Sequence, residues 1–163
     1  MKTAIVYYSM SGNTHQTAET IAKELGAQLI RIDPVKEYPS KGVRKFLWGG
    51  KSAVMGDQPA LQPYTFDGSY DRIIFGTPVW ASNITPPIRT FIAENREKLA
   101  DKSVAVFTCF SGGGADKAIE KLRLLLGIDS FAAELILVDP KDRPKKENVE
   151  KIQSFCKRLA EVE

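Results

Sequence analysis

Apolar and polar positions follow two periods along this chain, and the periods take turns. Thr3 to Tyr8 is a short apolar run rich in β-formers and reads as a buried strand. From Thr14 to Leu25 the period lengthens. Ala18, Ile21, Ala22 and Leu25 fall at i, i+3, i+4 and i+7, the stripe of an amphipathic helix, and Gly26 supplies its stop. Gln28 to Asp33 returns to a strand pattern. Arg72 to Thr77 is a third strand, followed by a Pro-containing turn. Thr85 then reads as an N-cap with Pro86 at the first helical position, ahead of a short helix marked by Ile88, Phe91 and Ile92. Ser103 to Thr108 is a fourth strand. Ala118, Ile119, Leu122, Leu125 and Leu126 make a strong helical stripe closed by Gly127. Phe131 to Val138 is a fifth strand, and Val149, Ile152, Phe155 and Leu159 mark a last helix.

Strand alternating with helix predicts a mostly parallel sheet covered on both faces. Five strands and their crossovers fit one doubly wound α/β domain over residues 1–163, with no internal repeat and no linker. The length of 163 residues is that of one domain. One stretch breaks the regularity. Pro34 to Pro63 holds four glycines and four prolines in 30 residues, with Lys36, Lys41, Arg44, Lys45 and Lys51 against Glu37 and Asp57. That is longer than the roughly dozen residues a crossover needs. It reads either as a functional long loop or as a covering flap with one weak helix.

Composition narrows the classes. With 43% hydrophobic and 26% charged residues, the chain is neither disordered, collagen-like nor a disulfide scaffold. A net charge of +3 is too small to argue for nucleic acid. Cys109 and Cys156 are far apart, and with the single His15 they make no zinc site, so no metal is expected. No stretch approaches a membrane span or a signal peptide, so no membrane partner is expected and the expected location is cytoplasmic with reduced thiols.

In an open parallel sheet, ligands bind beyond the carboxyl ends of the strands. Three segments leave such ends. The first is Ser9, Met10, Ser11, Gly12, Asn13 and Thr14, between a strand and a strong helix. Its hydroxyls and successive N–H groups would surround an anion at a helix N-terminus. It is neither a Walker loop nor G-x-G-x-x-G. The second is Thr77, Pro78, Val79, Trp80, Ala81, Ser82 and Asn83. Its tryptophan either stacks on a flat ligand or fills the core. No glycine follows Trp80, and positive φ falls more naturally to Asn83 than to Ala81 or Ser82. The third is Cys109, Phe110, Ser111, Gly112, Gly113 and Gly114, whose glycines suit backbone lying against a ligand or a flexible turn.

The S-x-S-G-N-T of the first segment resembles the T-x-T-G-N-T phosphate loop of flavodoxins, with serine for threonine at two positions. Gly76-Thr77-Pro78-Val79-Trp80, followed by Pro86 to Phe91, resembles the second flavin loop of the same superfamily, G-[ST]-P-V-W and then P-x-x-x-F. The resemblance runs along nearly the whole chain and matches the short-chain type. It implies a flavodoxin-like sheet in the order 2-1-3-4-5 and a non-covalent FMN held by the three segments. The third segment departs from typical flavodoxins, which often carry a tyrosine and acidic residues there; Phe110 is its only aromatic.

Other chemistries fail on single residues. C-x5-R from Cys109 would need arginine where Ala115 stands. A receiver domain would need acids where Tyr7 and Tyr8 stand, and no G-x-S-x-G elbow accompanies His15. His15 reads as a first-turn helix residue, Trp48 as flap packing, and Lys141 to Lys146 as a solvated helix lead-in without function. No side chain is expected to act as catalytic acid, base or nucleophile, because a flavin carries its own chemistry. The resemblance leaves two activities open. One is an electron carrier that docks to redox partner proteins. The other is an NAD(P)H-dependent FMN oxidoreductase of the quinone reductase type. The oligomeric state is not legible in the sequence.

Overall fold

The structure, a computed structural model, describes residues 1–39 and 43–162, with residues 43–46 by backbone alone. Lys41 of the basic segment lies outside the described residues, as do the side chains of Arg44 and Lys45. In chain order the elements are β1 (Thr3–Tyr7), α1 (Asn13–Leu25), β2 (Gln28–Arg31), α2 (Val43–Met55), β3 (Arg72–Pro78), α3 (Pro86–Glu94), α4 (Arg96–Leu99), β4 (Ser103–Phe110), α5 (Ala115–Leu126), β5 (Glu134–Val138) and α6 (Lys146–Ala160). Five parallel strands form one sheet in the order β2-β1-β3-β4-β5. Among the described residues, no helix is long and apolar enough to cross a membrane.

Every residue of β1 is buried, because both faces of the sheet are covered. Ala4 and Val6 join Ile73, Phe75, Val104 and Val106 in one core, under Ile88 and Phe91 of α3 and Ile119 and Leu122 of α5. Ile5 and Tyr7 point the other way, to a second core with Ala18 and Ile21 of α1 and Ile152, Phe155 and Leu159 of α6. Phe75, Phe91 and Phe107 are fully buried. Truncating any one to alanine would cost about 3–5 kcal/mol.

β1 and β3 differ from the sequence reading by one residue at their ends, and the short α4 is not read there; four differences are larger. β2 ends at Arg31, although Ile32 still donates to the Tyr7 carbonyl at 2.9 Å. β5 begins at Glu134; Phe131 to Ala133 approach it as extended lead-in, with Ala132 N–H on the Val104 carbonyl at 2.8 Å. β4 runs two residues past Thr108, to Phe110. The flap contains a full 13-residue helix, α2. It is a real element because Gly49 lets its backbone lie on the Trp80 ring. A Cβ there would meet Trp80 Cε3 at 3.1 Å. A mid-helix glycine costs about 1 kcal/mol relative to alanine, and close packing on the ring is what offsets it.

Candidate functional site

The register brings the carboxyl ends of β1, β3 and β4 together: Tyr7 lies opposite Gly76, and Pro78 opposite Cys109. The loops leaving these three ends surround a cavity of about 410 Å³, inside the ~300–1,000 Å³ range of small-molecule sites. The first loop contributes Met10, Ser11, Asn13 and Thr14; the second Pro78, Val79, Trp80 and Ala81; the third Cys109, Phe110, Ser111, Gly112 and Gly113. Gly50 of α2 and Asp139 after β5 complete the lining.

Six residues singled out in the sequence do not line this cavity, and each has another task. Ser9 is buried, and its Oγ accepts the N–H groups of Gly12 and His15, both at 3.2 Å. It caps α1 from inside the loop, satisfying one of the donors that a helix start leaves orphaned. Gly12 is the residue that turns the chain into α1. Thr77 is fully buried and ties the second loop to the start of α3, its Oγ accepting Thr85 N–H at 3.1 Å and lying 3.0 Å from the Thr85 hydroxyl. The expected Thr85 cap is thus in place by backbone, while its hydroxyl turns to Thr77.

Ser82, Asn83 and Gly114 form the underside of the second loop. Trp80 and Asn83 exchange two backbone hydrogen bonds of 3.0 Å, closing a two-residue turn. Its central residues, Ala81 and Ser82, have φ of 49° and 57°. The left-handed conformation therefore falls on Ala81 and Ser82 and not on Asn83, and each non-glycine residue so placed costs about 1–2 kcal/mol. Asn83 supports the turn instead. Its Nδ2 donates to the Ala81 carbonyl at 2.7 Å, and its Oδ1 accepts Lys121 Nζ of α5 at 2.8 Å. Gly114 sits beneath, at φ 85°; a Cβ there would come within 2.1 Å of Ser82 Oγ. Its missing side chain makes room for Ser82, while Gly112 and Gly113 stand open.

Trp80 is half-buried against the core, edge-on to Tyr8 at 5.7 Å and to Tyr38 at 5.1 Å, and it also lines the cavity. Phe110 lines the cavity, half-buried. Cys109 is a buried free thiol, and burial pushes it up to about 11 against the opposing hydrogen bond of Thr17. At neutral pH it stays a thiol and is no nucleophile. His15 faces Tyr7 and Glu19, with Nδ1 2.7 Å from Tyr7 Oη and Nε2 3.4 Å from the Glu19 carboxylate. Among the described residues, no group of three His, Cys, Asp or Glu side chains is placed to hold a metal ion.

One polar atom in the first loop stands out. Thr14 is 1% exposed, and its Oγ1 has no hydrogen-bond partner of ordinary geometry. Its polar neighbour is the soft Cys109 sulfur, a weak partner. A buried hydroxyl left so costs about 1–3 kcal/mol.

Lys141 to Lys146 is an exposed lead-in to α6, and its first residues also bond to the loops of the cavity. Lys141 N–H donates to Asn13 Oδ1 at 2.9 Å, and Asn13 Nδ2 donates to Asp142 Oδ2 at 2.7 Å. The Lys141 ammonium donates to the Ser11 carbonyl at 3.0 Å. Asp139 accepts from Ser111 Oγ at 2.6 Å and pairs with Arg143. This segment clasps the first and third loops together and sets a cation over the first. Gly50 and Lys141 reach the site through tertiary contact across the chain, a signal no local pattern carries.

The sequence model of the flavodoxin family matches residues 2–137 of this chain. Among solved structures, the chain is similar to a flavoprotein of Lactobacillus acidophilus NCFM in complex with FMN, at 24% identity and a TM-score of 0.70, over 93% of this chain and 98% of that one. It is also similar to a WrbA-like flavodoxin of Agrobacterium tumefaciens, at 21% identity and a TM-score of 0.64 over 99% and 96% of the two chains. Two-electron reduced flavodoxin of Megasphaera elsdenii aligns at 18% identity with a TM-score of 0.62, over 98% and 99%. At these identities the likeness to solved structures carries the fold.

Proposed function

Because the chain belongs to the flavodoxin family, we propose that it binds FMN in the cavity between its three loops and passes electrons through it. The observation that carries this reading is the buried, unpartnered Thr14 Oγ1 at the start of α1, where a helix N-terminus and a hydroxyl-lined loop meet. The L. acidophilus relative, solved with FMN, supports the same cofactor. Bound there, the flavin supplies the redox chemistry, and the protein supplies binding, orientation and electrostatics.

The roles divide among the loops. Ser11, Asn13 and Thr14 hold the phosphate with the N–H groups of the first helical turn. Lys141 adds positive charge at the same end. Trp80, held edge-on by Tyr8 and Tyr38, presents a rigid apolar wall to the flat ring. The Ala81–Ser82 turn is fixed by Asn83 and Lys121, so the polar edge of the ring meets a preset backbone. Phe110 to Gly113 close the other side and exclude water. No side chain is assigned as catalytic acid, base or nucleophile.

Electron carriage between redox partner proteins is the first reading. NAD(P)H-dependent reduction of the flavin is the second, supported by the net charge of +3, which suits an anionic nicotinamide nucleotide. Anaerobic addition of NADPH to the FMN-loaded protein separates them. Rapid bleaching of flavin absorbance makes it an oxidoreductase; no bleaching without a separate reductase makes it a carrier. Failure to take up FMN at all would overturn the reading.

A further inference from the structure

A second cavity lies behind the Trp80 wall. It measures about 800 Å³ and opens between residues 36–39, α2 and residues 57–59. The helical period explains how one element serves both cavities. Gly49 and Gly50 face Trp80 and Ala81, whereas Trp48, Lys51, Ser52 and Met55, at i, i+3, i+4 and i+7, line the groove. Tyr38 belongs to both sides. Its hydroxyl lies 3.3 Å from Ser52 Oγ, and its ring stands edge-on to Trp80 at 5.1 Å. Tyr38 lines the groove, Trp80 lines the smaller cavity, and the two rings are in edge contact.

The groove also holds side chains that a finished surface would not leave in water. Trp48 is 59% and Met55 68% exposed, so Trp48 is not the flap packing its sequence suggested. Large apolar surface gathered in a concavity marks a binding site. Among the described lining residues, two lysines, Lys36 and Lys51, stand with two carboxylates, Glu37 and Asp57, and the ring surfaces supply the apolar contact. Tryptophan, tyrosine and a thioether suit a flat, polarizable ligand.

We propose that this groove is a second ligand site that takes a flat aromatic small molecule, a quinone, against Trp48, Tyr38 and Met55; it would leave as the hydroquinone, gaining two electrons from the reduced flavin and two protons from water, with the flavin recharged by a redox partner or NAD(P)H. The assignment to a substrate rests on the reading that FMN fills the smaller cavity; the groove as a ligand site does not. A ligand seated there would lie against Tyr38, whose ring meets Trp80 edge-on.

The test uses the full chain loaded with FMN and, as probe, tetramethyl-1,4-benzoquinone, whose fully substituted ring does not alkylate thiols or amines. Calorimetric titration should show one site, with flavin absorbance reporting that FMN stays bound. Trp48→Ala and Met55→Asp should each weaken the quinone about tenfold or more, while Leu47→Ala, outside the groove lining, changes it less than twofold. FMN affinity should change less than twofold in all three, and these exposed positions leave the fold intact. Absence of binding, equal affinity in Trp48→Ala and Met55→Asp, or release of FMN by the quinone would overturn the proposal. Quinone binding at Trp48 in a chain that takes no FMN would instead overturn the flavin reading and leave the groove standing.

Discussion

Replacing Gly114 by alanine tests whether the second loop is held from below. The substitution meets two costs. The residue sits at φ 85°, where an L side chain costs about 1–2 kcal/mol. The new Cβ would also lie 2.1 Å from Ser82 Oγ, 2.7 Å from its Cβ and 3.0 Å from its Cα. Overlap of that kind costs about 1–3 kcal/mol. Together Gly114→Ala should lose about 2–5 kcal/mol, a large part of the ~5–15 kcal/mol that holds a domain folded. Urea unfolding of the apoprotein measures the loss as a lower midpoint at unchanged slope. The steric part is separable. In Ser82→Gly/Gly114→Ala, the overlap with Oγ and Cβ is gone, while the backbone cost and the 3.0 Å contact with the Cα of residue 82 remain. A double-mutant cycle, which cancels the relief that glycine at position 82 brings by itself, should therefore return about 1–3 kcal/mol of coupling. Two results would refute the reasoning: Gly114→Ala within 0.5 kcal/mol of the parent, or a coupling energy near zero.

Other expectations follow from the same geometry. Thr14→Val removes a buried hydroxyl that has no partner in the apoprotein, so apoprotein stability should hold or rise, while FMN weakens about tenfold or more and riboflavin does not; equal weakening of both would remove Thr14 from the phosphate site. Lys141→Met should weaken FMN about three- to tenfold and flatten the salt dependence of its Kd; an unchanged salt slope would mean that the ammonium serves only the Ser11 carbonyl. Stability should fall as pH rises from about 9 toward 11. Burial raises Cys109 from 9.0 to about 11, so across that window the unfolded chain releases a proton that the folded chain keeps. Buried Tyr7 and half-buried Tyr64 are shifted in the same direction, and Cys109→Ala should reduce the slope of urea midpoint against pH.

Much of the fold was legible because burial imposes its period on the chain. The Ala18–Leu25 and Ala118–Leu126 stripes gave helices α1 and α5 to within a few residues, and the apolar runs at Thr3, Arg72 and Ser103 gave the three central strands. Strand ends were less legible. Phe131 to Ala133 are as apolar as a strand, and Ala132 and Ala133 already bond to β4, yet the regular ladder of β5 begins only at Glu134. α2 was read as weak since its glycine pair looks like a breaker; what offsets that cost is the Trp80 ring, distant in sequence. The three loops of the site were found from their own residues, yet their division of labour was not. Ser9 looks like Ser11 in the sequence, and only the fold shows one turned inward onto Gly12 and His15. The left-handed Ala81 and Ser82 ran against local preference, which is outvoted by the bonds closing the turn and by Asn83 and Lys121.

The clasp between Asn13 and residues 141 and 142 joins parts of the chain 128 and 129 positions apart. Synthesis runs from the N-terminus, so Asn13 is made and α1 can form long before its partners exist. The loop at the beginning of the protein stays unlatched until the edge strand β5 has been added and the chain has turned past Asp139. A contact so distant is also among the last to close on refolding, since the entropy of a long loop must be lost before the contact rewards it. Completion of the sheet and completion of the anion nest are thus one late event, and a nascent chain halted before β5 holds the nest's residues without its latch.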